Sequence, residues 1–271
     1  MKRQNMKTIR IAVKVLTVFF MALFLVGSYP GLSMSADDKL QVAKGSVETK
    51  DNEDWILGED YLSEDADDSM EDISDPLEPV NRFFYKFNDK LYFWFLKPVC
   101  KGYNKIMPEV ARKGIRSFFS NAYTPVRAAN CLLQGKLVGF WREIARFIIN
   151  TTAGGLGFRD AALDDYNVPK SPEDFGQTLA HYGIGFGPYL VVPFLGPSSL
   201  RDAAGSAADS FMYPPNYFMN TWESMGRSAF RKINDVSLRL GEYESFKEMA
   251  IDPYVSIRQA YYQYRLKQIK K

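Results

Sequence analysis

Between Phe83 and Phe95 eight of thirteen residues are aromatic, and this density constrains the fold more than any other feature of the chain. Projected at about 100° per residue, Phe83, Phe84, Phe87, Leu91, Trp94 and Phe95 share one broad face of a helix. Lys86, Asp89 and Lys90 fall outside it. Leu96-Lys97-Pro98 should end or kink the helix, because proline lacks an amide hydrogen and clashes with the preceding turn. Asp75 and Pro76 read as its N-cap and first turn. A second such helix is predicted over 136–150. Leu137, Phe140, Trp141, Ile144, Ala145, Phe147 and Ile148 line one side of it, and Arg142, Glu143, Arg146 and Asn150 form a narrow polar strip. An apolar arc of about half the circumference is wider than a globular surface helix needs. Two environments fit it: a protein core on nearly all sides, or a membrane interface with arginines reaching headgroups.

Further helices are predicted at 108–120, 123–134, 173–181, 199–210, 222–248 and 254–269. Between 183 and 198 the pattern changes to a glycine-rich turn, Gly183-Ile184-Gly185-Phe186-Gly187-Pro188, and a short extended stretch over 189–194. The expected fold class is therefore mainly α, a multi-helix single domain with amphipathic interfacial helices and one short extended or hairpin segment.

Charge is distributed in blocks. The net charge of +2 hides +5 over residues 1–35, −12 over 36–75 and +9 over 76–271. The first block joins a basic start to an uncharged apolar run, Val15 to Gly27, followed by Pro30 and small residues near 35. This is the layout of a secretory signal peptide, with an uncleaved membrane anchor as the alternative; the run is shorter than the about 20 residues that span a bilayer. Residues 36–74 read as an acidic linker, with Trp55-Ile56-Leu57 as an alternative short docking segment. The helical domain is assigned to 75–271. No cysteine precedes Cys100, so no acylation site of the lipoprotein type is expected in the leader.

The residues give little support for catalysis. No G-x-S-x-G elbow is present, and the single histidine, His181, excludes sites needing two. The two glycine clusters, 154–157 and 183–187, lack the contexts of phosphate- or dinucleotide-binding loops. His181 with Ser198, Ser199 and Asp202 is the one constellation a hydrolase could use. Glu173 and Asp174 read as helix-start carboxylates. Cys100 and Cys131 are either one disulfide or two buried thiols. No metal site and no cofactor is expected.

The motifs resemble the MlaA/VacJ family of outer-membrane phospholipid-transport lipoproteins. They are DPLEPVNRFFYKFN (75–88), LKPV (96–99), FIINTTAGGLGFRD (147–160), EDFGQTLAHYGIGFGPYLVVPFLGPSSLRD (173–202) and DPYVSIRQAYY (252–262). The resemblance implies a helical, ring-like protein in the inner leaflet of the outer membrane. It implies an amphipathic channel that removes mislocalised phospholipids from the outer leaflet and passes them to a periplasmic lipid carrier, with a trimeric porin as a further partner and no chemical step. Nucleic acid is not an expected partner. In this reading Asn81, Arg82, Asn150, Thr151, Thr152, Arg159, Asp160, Arg201 and Asp202 line or brace the channel. The arginines at 82, 159 and 201 are expected to pair with Asp160 and Asp202 if they brace. Gly183, Gly185, Gly187 and Pro188 form a loop that hinges. Phe83, Phe84, Phe87, Trp94, Phe140, Trp141, Ile144, Phe147 and Ile148 face the membrane. The alternatives are an envelope scaffold or porin-interaction protein that passes no lipid, and a lipid hydrolase built on His181.

Overall fold

The computed structural model describes residues 75–270; the predicted leader and acidic linker lie outside them. Eleven α-helices and one β-hairpin are found among the described residues. They are α1 (Glu78–Leu91), α2 (Lys97–Ile106), α3 (Glu109–Ala122), α4 (Thr124–Leu133), α5 (Leu137–Thr152), α6 (Ala161–Asp164), α7 (Phe175–His181), α8 (Leu200–Met212), α9 (Thr221–Leu238), α10 (Glu242–Met249) and α11 (Pro253–Ile269). The hairpin, β1 (Tyr189–Val192) with β2 (Gly196–Ser199), is antiparallel, with Tyr189 opposite Ser199 and Val192 opposite Gly196.

Three local expectations are corrected. Asp75 is not the N-cap of α1: the helix begins after Leu77, and Pro79 rather than Pro76 lies in its first turn. The Asp75 carboxylate instead accepts from Asn81, Tyr254 and Arg258, which puts a long-range anchor where a local cap was expected. Pro98 neither ends nor breaks the aromatic helix. A five-residue π turn, Tyr92–Leu96, joins α1 to α2, and Pro98 falls in the first turn of α2, where a missing amide is tolerated. The single helix expected over 222–248 is two, separated at Gly241, whose φ of +107° is accessible to glycine and strained for other residues.

The apolar core is small and aromatic. Tyr189, Val191, Tyr254, Tyr261 and Tyr262 form it, with Phe84, Tyr85, Phe186 and Val255 packed against it. The rings meet mostly edge to face or tilted, for example Phe186 on Tyr262 at 5.0 Å. Two asparagines of α1 stitch this helix to the hairpin. Asn81 donates to the Tyr189 carbonyl and accepts from the Val191 amide, both at 2.9 Å. Asn88 does the same one strand-length further on, donating to Val192 and accepting from Phe194. Asn81 thus occupies the edge of β1 as another strand would, and Asn88 bridges the end of β1 and the turn after it; each satisfies both a backbone donor and an acceptor.

Elsewhere the helices approach through glycine. α7 crosses α8 where Gly205 meets the backbone of Gly176; a Cβ at Gly205 would overlap the Gly176 amide nitrogen. α4 and α5 pack against each other, and Gly139 sits against the Cys131 sulfur across the contact. No helix among the described residues is long and apolar enough to cross a membrane.

Candidate lipid-facing site and its polar brace

α5 is arranged inside out. Its polar strip is buried: Glu143 is 0% and Arg146 1% exposed, and Asn150 is also buried. Its apolar side faces outward, with Trp141 65% and Ile148 56% exposed, and with Leu137, Val138 and Phe147 also exposed. Phe140 and Ile144 are half-buried at the margin. Of the two environments that fitted the sequence, the protein core is therefore excluded for most of this face. The aromatic helix divides similarly. Phe83, Phe87, Trp94 (81% exposed) and Phe95 are exposed, while Phe84 turns inward onto the tyrosine core. A third apolar group was not anticipated: Phe211, Phe218, Trp222 and Met225, around the start of α9, are also exposed.

The buried strip of α5 is held by a network of charges. Arg127 on α4 donates to Glu143 at 2.7 Å, and Glu143 also accepts from the Ser171 amide at 2.7 Å. Arg127 completes its fork on the Ser120 carbonyl and the Thr124 hydroxyl. One turn on, Arg146 donates to both oxygens of Asp160, at 2.7 and 2.6 Å. Asn150 donates to Asp160 and accepts from the Ala162 amide. Asp160 also caps α6. Burial alone would raise its pKa, but Arg146 beside it outweighs burial and holds the carboxyl below its ordinary value. Thr151 accepts from Asn121, and the exposed Thr152 donates back to the Ile148 carbonyl of its own helix.

A second brace ties α7, α8 and the C-terminal helix. Arg265 donates to Asp174 at 2.6 and 3.0 Å and to Asp202 at 2.8 and 3.0 Å. Asp202 accepts further from Arg201 at 2.9 Å and from the Tyr261 hydroxyl. Burial would raise both carboxyls; Arg265 prevails and lowers both. Asp174 is the N-cap of α7 as well, accepting from Gln177. Asp209 behaves oppositely. It accepts from Asn130 and the Phe175 amide but has no cation partner among the described residues, and burial together with nearby Asp174 pushes it up to about 6.

The pairings expected for the arginines are partly different. Arg201 does pair with Asp202. Arg82 pairs with Glu78 and Asp252, and lies over the Tyr254 ring at 4.4 Å. Arg159 pairs with Asp164 and Asp165 rather than Asp160, whose cation is Arg146. Arg127, Arg146 and Arg265 were not identified as braces. Their carboxylate partners are all remote in sequence: Glu143 is 16 residues from Arg127, Asp160 is 14 from Arg146, and the Arg265 partners are 91 and 63 residues away.

The glycine loop runs along this brace. Gly183 and Gly187 have φ of +83° and +66°, while Gly185 does not take a positive φ. The Arg201 guanidinium stacks on Phe186 at 4.0 Å, its backbone amide donates to the Phe186 carbonyl, and the Pro188 carbonyl accepts from Leu200. The loop glycines themselves are exposed. Lys232 on α9 is exposed by area, yet desolvation by surrounding protein lowers its pKa.

The hydrolase constellation does not assemble. His181 is exposed and stacks edge-on against Tyr182; Ser199 caps α8, and Asp202 is engaged by two arginines. The cysteines are two free, buried thiols, not a disulfide. Burial pushes Cys100 up to about 11 and Cys131 to about 12, so neither is a ready nucleophile. Among the described residues no group of three or more His, Cys, Asp or Glu side chains is placed to hold a metal.

Comparison with known proteins matches this geometry to one family. A profile described as "MlaA lipoprotein" covers residues 73–268. The intermembrane phospholipid transport system lipoprotein MlaA of Escherichia coli is 35% identical over 193 residues, 70% of this chain and 76% of that protein. An uncharacterized protein of Rickettsia conorii is 33% identical over 82% of this chain and 87% of its own length. A solved structure from the work "Structural basis for maintenance of bacterial outer membrane lipid asymmetry" superimposes with a TM-score of 0.63 at 34% identity, covering 70% of this chain and 96% of that one. With the helical fold, the hairpin and the matched span all in agreement, the chain belongs to the MlaA lipoprotein family.

Proposed function

We propose that this protein is the outer-membrane component of a phospholipid transport system, maintaining lipid asymmetry by removing mislocalised phospholipid from the outer leaflet. The observation that carries the reading is the inverted burial of α5, whose charged strip is inside and whose apolar side is outside. In water such a helix exposes the surface that the hydrophobic effect should hide. In a leaflet the same face meets acyl chains at no such cost. The relatives named as intermembrane phospholipid transport lipoproteins support the substrate class.

In this mechanism the apolar faces of α1 and α5 hold the protein in the periplasmic leaflet. A lipid crossing it needs an apolar path for its chains and a polar one for its headgroup. Internal charge supplies the latter. The charge networks of Arg127–Glu143, Arg146–Asp160 and Arg265–Asp174–Asp202 keep the helices from collapsing onto that path. The glycine loop at 183–187 gates it, and lipid passes to a soluble periplasmic carrier, with a trimeric porin as support. No bond is made or broken.

The test is deletion and complementation. Loss of the gene should raise outer-leaflet phospholipid, and the wild-type chain should restore it. Unchanged outer-leaflet phospholipid in the deletion strain would overturn the proposal and favour a scaffold that passes no lipid.

A further inference from the structure

The exposed side of the α1–π–α2 helix carries two parallel rows, one apolar and one basic. Lys86, Lys90, Lys101 and Lys105 are exposed, and none forms an ion pair among the described residues. Lys97, on the same helix, differs: it is half-buried, pairs with Glu244 at 2.7 Å and lies by the Phe93 ring. The acids nearby are also engaged, Asp89 by Lys247 and Glu109 by Lys113.

The π turn sets the two rows. Counting about 100° per α residue and roughly 80° through Tyr92–Leu96, the four lysines fall within about 90° of one another. Phe83, Phe87, Phe95 and Ile106 fall within about 50° beside them. Asn81 and Cys100, both buried, lie on the far side. Continuous α geometry would instead carry Lys101 and Lys105 onto the apolar row and turn Ile106 inward. The single widened turn therefore keeps one charged edge and one greasy edge along a helix from Glu78 to Ile106.

Resting on the membrane reading above, we infer that this edge is a docking surface for anionic phospholipid headgroups. The apolar row of Phe83, Phe87, Phe95 and Ile106 enters the acyl region, and the lysines, with Trp94 among them, lie at phosphate level. A helix parallel to the surface with unpaired cations along one flank has the charge pattern that anionic lipid recognises. Neutral lipid would satisfy the apolar row and leave the lysines without counter-charge.

The test uses the full chain and flotation on vesicles of phosphatidylcholine alone or with about a third phosphatidylglycerol. Anionic lipid should tighten binding tenfold or more. The gain should shrink between ~0.1 and ~1 M salt, as the screening length falls from about 10 to about 3 Å. The quadruple variant Lys86→Gln, Lys90→Gln, Lys101→Gln, Lys105→Gln should lose the anionic preference while keeping neutral-vesicle binding and its thermal unfolding curve. The matching lysine-to-arginine variant should retain the preference. Equal wild-type binding to both vesicles, a glutamine variant that keeps the preference, or an arginine variant that loses it would each overturn the inference. So would binding of the lysine edge to soluble polyglutamate with no response to anionic lipid, which would assign it to an acidic protein surface. Outer-leaflet phospholipid in the deletion strain reads the transport proposal separately, so the two can fail independently.

Discussion

α5 and α11 are nearly equal in length, 16 and 17 residues, and bury opposite things. α5 hides Glu143, Arg146 and Asn150 and exposes its tryptophan. α11 hides four tyrosines, an isoleucine, Arg265 and Gln268, and exposes little beyond Leu266, Lys267 and Lys270. Both are held by buried arginines, so buried charge does not distinguish them. What differs is the surroundings of the other face: among the described residues α11 has protein on most sides, and α5 has an exposed apolar face. Hydrophobicity thus marks the core in one helix and the outer boundary in the other.

The comparison breaks most visibly at Arg265. Arg265→Met should cost about 3–5 kcal/mol of unfolding free energy, because Asp174 would lose its cation and the buried Asp202 would keep only Arg201. Urea unfolding followed by circular dichroism reads this, and a loss below about 1 kcal/mol would mean that the brace is dispensable. On α5 the equivalent insult is harmless to folding. Trp141→Glu with Ile148→Glu should change unfolding by no more than about 0.5 kcal/mol, since both sites are exposed. The same pair should weaken vesicle association by about 2 kcal/mol or more, seen as at least a tenfold loss in flotation.

Gly157 sharpens the junction below α5. It has φ of +93°, and an added Cβ would lie 2.5 Å from Asn121, the residue that donates to Thr151. Gly157→Ala should therefore cost about 1–3 kcal/mol in the same unfolding assay.

The smallest effect concerns pH. Asp160, Asp174 and Asp202 have lowered folded pKa values, so their stabilisation is complete above the unfolded value and is lost as pH falls through the folded one. Asp209 runs the other way, at about 6 against an ordinary 3.8. Its contribution is present below about 4 and is lost as pH rises through about 6. Asp209→Asn should leave stability at pH 4 unchanged and raise it at pH 7 by about 1–2 kcal/mol. A pH 4–7 stability profile identical to wild type would show that the carboxyl does not carry this slope.

Much of the helix layout was legible from the sequence because a 3.6-residue period survives whichever face is buried. The period could not say which face that is: the strip Glu143, Arg146 and Asn150 reads the same on a soluble helix and an inverted one. The break at Gly241 was missed because one glycine inside an otherwise helical pattern is a weak signal until its φ is known. The candidate site was legible only in part. Arg201–Asp202 and Asn150–Asp160 join near neighbours, whereas Arg265 reaches partners that only the fold brings close. The free thiols could not be read from cysteine count alone.

The π turn at Tyr92–Leu96 bears on how this chain can change length. Removing one residue from it would leave four in ordinary α geometry, and the flanking helices would keep nearly the same rotation. One residue can therefore be lost there without moving Asn81, Cys100 or the lysine edge from their sides. A deletion anywhere else in α1 or α2 would rotate everything beyond it by about 100°. Length variation in this long helix should concentrate in those five residues.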